Sequence, residues 1–257
     1  MSESFDLETW LRDVCREYRY ALRGVFQTRG ELPWPQTFDS EEELEDALAR
    51  GGHLLPLPKE PASLANVLEV GIVDFILDHV AEVDGLEASR GTERGYPDLE
   101  LTGEVLGGAF HAVDIKVARR KKTKSGYSKN TDSRITLYTG NTYFRYPKLP
   151  WPGTFRPFEQ YVSHLDVLGI YSLNAESTAR VEDLELIVQP SWKIASKQRS
   201  STTREYIGAV VDIEALREGR GEFATAEEFY AFWRKFPFKI GRVVQQQLDK
   251  LIAEAGE

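Results

Sequence analysis

Apolar residues recur at helical spacing in some parts of the chain and alternate with polar residues in others. The helical spacing predicts helices over residues 5–25, 63–79, 157–171, 225–236 and 241–254. Alternation and short apolar runs predict strands over residues 98–102, 109–117, 184–188 and 206–213. This mixture indicates an α/β or α+β fold with a central mixed sheet flanked by helices.

No Pro-, Gly- or Ser-rich linker interrupts these elements, and 257 residues are within the range of one large domain. We therefore expect a single domain over residues 1–257. An acidic run at residues 39–48 is interpreted as the solvated face of a helix. Cys15 follows Trp10 and Leu11 at helical spacing, which favours a core residue over a reactive thiol.

Two carboxylates and one ammonium group lie at the ends of neighbouring predicted strands. Asp98 begins one strand, and Asp114 and Lys116 end the next. Because side chains alternate along a strand, Asp114 and Lys116 point to one face, with Val113 and Ile115 on the other. A hairpin between the two strands can bring Asp98 beside them.

Such a group is suited to hydrolysis assisted by a metal ion. Mg²⁺ prefers carboxylate oxygens and usually keeps waters and phosphate oxygens as further ligands. Lys116 can orient or deprotonate the attacking water and offset negative charge. A salt bridge at the end of a surface strand is the alternative interpretation, and Pro-Asp followed by Asp-x-Lys also occurs by chance.

The formal net charge of −9, from 32 Lys or Arg and 41 Asp or Glu, argues by itself against a nucleic-acid partner. The charge is unevenly distributed, however. Residues 114–148 contain ten Lys or Arg and two Asp or Glu, and residues 192–206 contain four and one. We therefore expect a basic face and a strongly acidic back.

Other features of the composition set the expected compartment. The single cysteine excludes an internal disulfide and favours a reducing compartment. We also expect no signal peptide and no membrane span, because neither a basic leader nor a long apolar run is present.

Around the Asp98, Asp114 and Lys116 pattern the chain resembles the EcoRV family of type II restriction endonucleases, in the PD-(D/E)xK superfamily. The resemblance extends from about residue 55 to about residue 236. Residues 96–98 and 114–116 are similar to the catalytic motif of that family, with the same separation. Further ordered matches are residues 135–144, 157–164, 192–195, 207–208, 219–223 and 229–234.

The resemblance implies a restriction-endonuclease-like fold and a U-shaped homodimer. It also implies Mg²⁺-dependent cleavage of palindromic double-stranded DNA, with blunt ends and 5′-phosphates, on bent DNA approached from the minor groove. Residues of about 1–60, with the N-terminal helix, are the expected dimer contact, and about 61–257 the catalytic and DNA-binding core. A partner DNA methyltransferase and a cytoplasmic, prokaryotic-type restriction system complete the expectation.

By carry-over from the family, Asp98 and Asp114 are the expected metal ligands and Lys116 the catalytic lysine. Glu69 matches an auxiliary acidic residue of the helix before the active site. Its neighbours Leu68 and Val70 are apolar, which is unusual for a merely solvated acid, although a helix-edge glutamate is the alternative.

The base-reading loop of the family matches Ser200, Ser201, Thr202, Thr203 and Arg204, where this sequence departs from the family. Arginine is suited to a bidentate contact with guanine, so we expect Arg204 to read a guanine near the centre of a different target site. A phosphate clamp is the alternative role.

Further residues are expected near the DNA backbone or the minor groove. A basic insertion over residues 119–129 is predicted to be a loop that clamps the backbone, with a solvated charge run as the alternative. The complete set of expected backbone or minor-groove residues is Thr92, Glu93, Arg94, Arg119, Arg120, Lys121, Lys122, Thr136, Thr139 and Asn141.

Two other functions stay open on the sequence. One is a repair or recombination nuclease that has the same core and reads DNA structure instead of sequence. The other is a DNA-binding protein without catalytic activity, against which the intact Asp98, Asp114 and Lys116 argue. The four histidines show no metal-ligand spacing and are interpreted as structural.

Overall fold

The computed structural model describes residues 5–19, 38–49, 61–92, 95–174 and 180–255. Its helices are α1 (Leu7–Glu17), α2 (Glu41–Ala49), α3 (Pro61–Val80), α4 (Ser191–Ile194), α5 (Ile213–Glu218), α6 (Ala226–Lys235) and α7 (Arg242–Ala255). Its strands are β1 (Glu87–Arg90), β2 (Leu99–Thr102), β3 (Phe110–Thr123), β4 (Gly126–Thr131), β5 (Thr136–Thr139), β6 (Tyr161–Leu173), β7 (Val181–Pro190), β8 (Ala195–Arg199) and β9 (Tyr206–Ala209).

A central mixed sheet organises the fold. Its strands follow the order β1-β2-β3-β6-β7, and β4 pairs with the far end of β3. Strands β3 and β6 are parallel, and the other neighbours are antiparallel. A second, three-stranded sheet has the order β5-β9-β8. The mixed α+β architecture with a flanked central sheet, predicted from the sequence, is confirmed.

Each face of the central sheet covers its own apolar core. On one face, Val113 and Ile115 of β3 pack with Leu11 of α1 and Ile72 of α3. The opposite face contributes to a larger core that contains many aromatic side chains, among them Phe144, Phe158, Phe229 and Trp233. Because β3 is covered on both sides, polar side chains on it are held rigidly wherever they emerge from the core.

The first helix is shorter than its apolar spacing predicts. It ends at Glu17, and Tyr18 has an extended ψ of 128°. The ring of Tyr18 packs edge-on against Phe75 of α3 with 5.1 Å between centroids, so a tertiary contact ends the helix. The rest of the predicted helix, up to residue 25, lies outside the described residues from residue 20 onward.

The apolar face of α1 is covered within the chain. Leu11 and Cys15 are buried, and the guanidinium of Arg12 donates to the carbonyl of Val188 on β7. Burial raises the pKa of Cys15 to about 12, as expected of a core thiol. The dimer contact expected within about residues 1–60 stays a prediction, and it concerns surfaces other than this buried face of α1.

The predicted helix over residues 157–171 is wrong. Only Phe158–Gln160 forms a helical turn, of the 3-10 type, and Tyr161 begins the long central strand β6. Leu165 faces one core and Leu168 the other. A strand buried on both faces has a nearly continuous apolar sequence, and its spacing then cannot be distinguished from that of a buried helix.

The predicted basic loop at residues 119–129 is also wrong. Strand β3 continues to Thr123, and β4 returns antiparallel to it, so the segment is a β-hairpin. An exposed edge of a sheet tolerates lysines, which discourage pairing with other chains. The basic side chains therefore project from a defined extension of the same strand that carries Asp114 and Lys116.

Smaller differences occur at element ends. Helix α3 begins at Pro61 and not at Ser63, in agreement with the tolerance of proline in a first helical turn. Strand β9 ends at Ala209, because Asp212 caps helix α5 by accepting from the N–H of Ala215 at 2.8 Å. The predicted Thr225 cap of α6 is confirmed. In the described part of the chain, no helix is long and apolar enough to span a membrane.

Candidate active site

Asp98, Asp114 and Lys116 meet where β2 and β3 run side by side. The Lys116 ammonium lies 2.7 Å from Oδ2 of Asp114 and 4.0 Å from Oδ2 of Asp98. The same Asp98 oxygen accepts a 2.6 Å hydrogen bond from the N–H of Ile115, which fixes the carboxylate against β3. The structure therefore places one ammonium group between two carboxylates, on the sheet face that the alternation of β3 predicts.

The three side chains differ in access to solvent. The Asp114 side chain is 5% exposed, whereas those of Lys116 and Asp98 are 29% and 31% exposed. Burial alone would lower the pKa of Lys116, but the charges of Asp114 and Asp98 outweigh it and raise that pKa. Burial raises the pKa of Asp114, and Lys116 opposes this effect. Lys116 is consequently a cation at neutral pH.

Glu69 approaches the same place from helix α3. Its Oε1 accepts a 3.3 Å hydrogen bond from the N–H of Val117, one residue beyond Lys116. Burial raises the pKa of Glu69, while Lys116 lowers it and Asp98 raises it. Glu69 is therefore an acidic neighbour of the three residues, and not a solvated helix-edge glutamate.

A further carboxylate at this site, Asp166, was missed by sequence reasoning. It pairs in register with Asp114 across the parallel strands β3 and β6 and is 1% exposed. Burial raises its pKa to about 7, hydrogen bonding to Ser191 and the charge of Lys116 lower it, and Asp98 raises it. The sequence does not indicate this neighbour because the apolar spacing around residue 166 predicts a helix. Only when residue 166 lies on a strand does it come beside Asp114.

A partly buried hydrogen bond supports the turn that carries Asp98. The hydroxyl of Tyr96 is 2.7 Å from Nδ1 of His164, and Nε2 of His164 lies 3.3 Å from the carbonyl of Phe158. A neutral imidazole satisfies both contacts when Nε2–H donates to the carbonyl and Nδ1 accepts from the tyrosine. His164 is therefore a structural residue, as the sequence predicts, and it holds Tyr96 two residues before Asp98.

This histidine should make folding stability depend on pH. Burial lowers the pKa of His164 to about 3, against about 6.5 in an unfolded chain. As pH falls below about 6.5, His164 becomes protonated in the unfolded state but stays neutral in the folded state. The free energy of unfolding therefore decreases progressively down to pH 3. We expect a lower urea midpoint at pH 5 than at pH 7.5, and a flatter dependence in His164→Gln. An equal slope in that variant would contradict this assignment.

A cleft of about 480 Å³ opens at Asp114 and Lys116. Its walls include Thr136 and Thr139 of β5 and Tyr206 of β9. Thr139 is exposed, and the hydroxyl of Thr136 is 2.7 Å from that of Ser200. A larger hollow of about 1000 Å³ lies elsewhere, beside Phe5 and Trp192, and neither Asp114 nor Lys116 lines it.

The segment matched to the base-reading loop connects β8 and β9 at the side of this cleft. Ser201 Oγ accepts from the N–H groups of Thr203 and Arg204 at 3.2 and 3.3 Å, which gives the loop a compact turn. Thr202, Thr203 and Arg204 are exposed, and the Arg204 guanidinium lies 5.7 Å from the ring centre of Tyr206. The structure thus presents these side chains outward.

Some charged side chains of the β3–β4 hairpin form ion pairs with other residues of the chain. Arg119 forms an ion pair with Asp132 at 2.6 Å, and Arg120 pairs with Glu185 of β7. Lys121 and Lys122 are exposed and have no ion pair within the described residues. The hairpin is therefore anchored at its base by arginines, and lysines occupy its outer part.

Other predicted contact residues have simpler surroundings. Asn141 donates through Nδ2 to the carbonyl of Lys239 at 2.9 Å. Thr92 is exposed, whereas Glu93, Arg94 and His53 lie outside the described residues. Of the remaining histidines, His111 hydrogen-bonds to Ser163 at 2.8 Å and His79 to the carbonyl of Phe75 at 2.9 Å.

The donor set fits one hard cation held by few protein ligands. Within the described ranges, no three His, Cys, Asp or Glu side chains are grouped closely enough to hold an ion by themselves. Asp98 and Asp114 nevertheless bring two carboxylates within 4.0 Å of the Lys116 ammonium, and Asp114 lines an open cleft. Mg²⁺ is commonly bound by one or two carboxylates, with waters and phosphate oxygens as the other ligands.

Comparison with known proteins identifies the family to which the chain belongs. The model of the family described as restriction endonuclease EcoRV matches residues 33–253. The type II restriction enzyme EcoRV of Escherichia coli is 22% identical over 202 residues, which cover 72% of this chain and 78% of that enzyme. Asp98, Asp114, Lys116 and Glu69 all lie within the matched region. The chain belongs to the EcoRV restriction endonuclease family.

Proposed function

We propose that the protein is a Mg²⁺-dependent type II restriction endonuclease that cuts both strands of a palindromic DNA site. The observation that carries the proposal is the meeting of Asp98 and Asp114 at Lys116, with Asp114 and Lys116 lining an open cleft. Membership of a restriction endonuclease family supports DNA as the substrate.

Each residue then has a defined role. Asp98 and Asp114 would hold Mg²⁺, with Glu69 as an auxiliary acidic group near the N–H of Val117. When bound, Mg²⁺ supplies an electrophile that stabilises charge on the phosphate and acidifies water. Because the carboxylates keep Lys116 protonated, we assign it to orienting the attacking water and offsetting phosphate charge, and not to acting as the base.

The reaction is a hydrolysis in line with the leaving group. Water adds to phosphorus, the bond to the 3′-oxygen breaks, and the products are a 5′-phosphate and a 3′-hydroxyl. The described residues of the chain carry one such site, so cutting both strands at a palindrome calls for two copies related by a two-fold axis. We propose a homodimer that bends the duplex, approaches it from the minor-groove side and leaves blunt ends. A DNA methyltransferase would protect the host site in the cytoplasm.

Arg204 is expected to determine part of the site preference. Its exposed position on the β8–β9 loop allows a bidentate contact with guanine, which discriminates by about 1–3 kcal/mol. Arg204→Ala should reduce discrimination at one base pair by roughly 5- to 150-fold, measured as cleavage rates on duplexes with single substitutions. Arg220→Ala, which removes an exposed arginine paired with Glu218, is the control. Equal weakening on every duplex would instead assign Arg204 to a phosphate.

The outer lysines of the β3–β4 hairpin are expected to contact the DNA backbone. A plot of the logarithm of the binding constant against the logarithm of the salt concentration should become less steep when Lys121, Lys122, Lys124 and Lys129 are replaced by glutamine. The slope should decrease in magnitude by up to about 3.6. Fluorescence anisotropy from low to moderate salt measures this slope. Lys235→Gln with Lys250→Gln, on helices α6 and α7, is the control. A slope equal to that of the unmodified protein would show that the hairpin does not contact the DNA backbone.

A digestion of plasmid DNA tests the proposed class of enzyme. We expect a discrete fragment pattern with Mg²⁺ and no cleavage with EDTA. Cleavage confined to mismatched or branched DNA would indicate a repair or recombination nuclease instead. DNA binding without any cleavage, with Mg²⁺ or Mn²⁺ present, would indicate a DNA-binding protein that lacks activity.

A further inference from the structure

A buried carboxylate beside the candidate active site has no role in the proposed function. Asp166 on β6 pairs with Asp114 on the parallel strand β3, and in-register residues of parallel strands direct their side chains to the same face. Asp166 is 1% exposed. Its Oδ2 has no hydrogen-bond partner within the described part of the chain.

An unpartnered oxygen of this kind costs free energy in a protein interior, so its presence calls for an explanation. Its surroundings are strongly negative. The carboxylates of Asp98 and Asp114 interact electrostatically with Asp166, and Glu69 interacts with Asp98 in turn. Lys116 is the basic side chain among the described residues whose charge opposes them at Asp166. When the negative charge of a poorly solvated site exceeds the positive charge of the neighbouring side chains, the site favours binding of a divalent cation.

We propose that Asp166 is an additional acidic residue of the cation site, whose charge on the adjacent strand strengthens divalent-cation binding at Asp98 and Asp114. The proposal rests on the proposed function, because that function places a cation at these two carboxylates. Asp166 acts through space and not as a ligand, since the described residues form no cluster of three side chains that could hold an ion.

Mn²⁺ binding to the DNA-free protein tests this role without an activity measurement. Electron paramagnetic resonance titration gives the affinity, and thermal melting with and without Mn²⁺ gives the stabilisation by the ion. Asp166→Asn keeps the size of the side chain and removes its charge. We expect this variant to bind Mn²⁺ about tenfold more weakly. We also expect a higher melting temperature without metal and a smaller rise on Mn²⁺ addition.

Two further variants make the result specific. Glu185→Gln removes a carboxylate of the same sheet that has its own partner, Arg217 at 2.8 Å, and should leave Mn²⁺ affinity unchanged. Asp114→Asn should weaken Mn²⁺ binding strongly. If Asp166→Asn does not fold, Asp166→Ser, a smaller uncharged replacement, carries the same comparison.

The outcomes separate this inference from the proposed function. Unchanged Mn²⁺ affinity in the Asp166 variant, with loss in Asp114→Asn, would overturn the role of Asp166 and leave the cation site standing. Unchanged affinity in both variants would overturn the cation site itself, and with it this inference. A lower melting temperature with unchanged affinity would show that Asp166 is merely structural.

Discussion

Asp114→Asn is expected to reduce DNA cleavage by about 10³-fold or more and to leave DNA binding intact. The carboxylate is one of two that converge at the cleft, and an amide is a poor ligand for a hard cation in this position. Cleavage rates at saturating enzyme and anisotropy in Ca²⁺ measure the two properties separately.

Folding should not suffer from this change. Asp114 is 5% exposed, and burial disfavours its charged form. An asparagine of the same size removes that penalty while Lys116 stays close to solvent. Asp249→Asn, an exposed acid on α7 that accepts a hydrogen bond from Gln245, is the matched control and should cut normally. Near-normal cleavage by Asp114→Asn would contradict the assigned site.

Lys116→Met is the second large effect, and it separates activity from stability. Loss of the ammonium removes the group that offsets phosphate charge and orients water, for which we expect a loss of about 10²- to 10⁴-fold in cleavage rate. It also leaves Asp114 buried beside Asp98 without its 2.7 Å partner. Breaking such a pair from one side costs about 3 kcal/mol in unfolding free energy, measured by urea denaturation.

The double variant distinguishes the two effects. Lys116→Met combined with Asp114→Asn removes both members of the pair and should recover most of the lost stability, but no activity. Lys250→Met, which changes an exposed lysine paired with Glu254, should alter neither property. Full activity in Lys116→Met, or a double variant as unstable as the single one, would contradict the geometry described for this pair.

The parts of the molecule that the sequence predicted well are those determined by residues close together in the sequence. The alternation of β3 is sufficient to put Asp114 and Lys116 on one face. Antiparallel pairing of β2 with β3, across a connection that contains the 3-10 helix Glu104–Leu106, then brings Asp98 within reach of both. Helix α6 was predicted by its Thr225 cap. In each case the deciding contact lies within about 20 residues of sequence.

The parts that were missed depend on burial by distant segments. Strand β6 is covered on both faces, so its apolar spacing resembles that of a helix, and Asp166 was therefore not placed at the site. The basic hairpin was predicted to be a loop because charged residues obscure strand alternation. Its base is tied to β7 by Arg120 and Glu185, which are 65 residues apart. Tyr96 and His164 likewise meet only through the tertiary fold.

The most direct test of the central claim is to map the ends produced on DNA of known sequence. Purified protein is incubated with a sequenced plasmid and Mg²⁺, and the termini are read by ligation and sequencing, with Asp114→Asn in parallel. We predict blunt cuts with 5′-phosphates at the centre of one palindromic sequence, all absent in the variant. Cuts scattered without a common sequence, or an equal pattern with the variant, would contradict a site-specific endonuclease built on Asp98, Asp114 and Lys116.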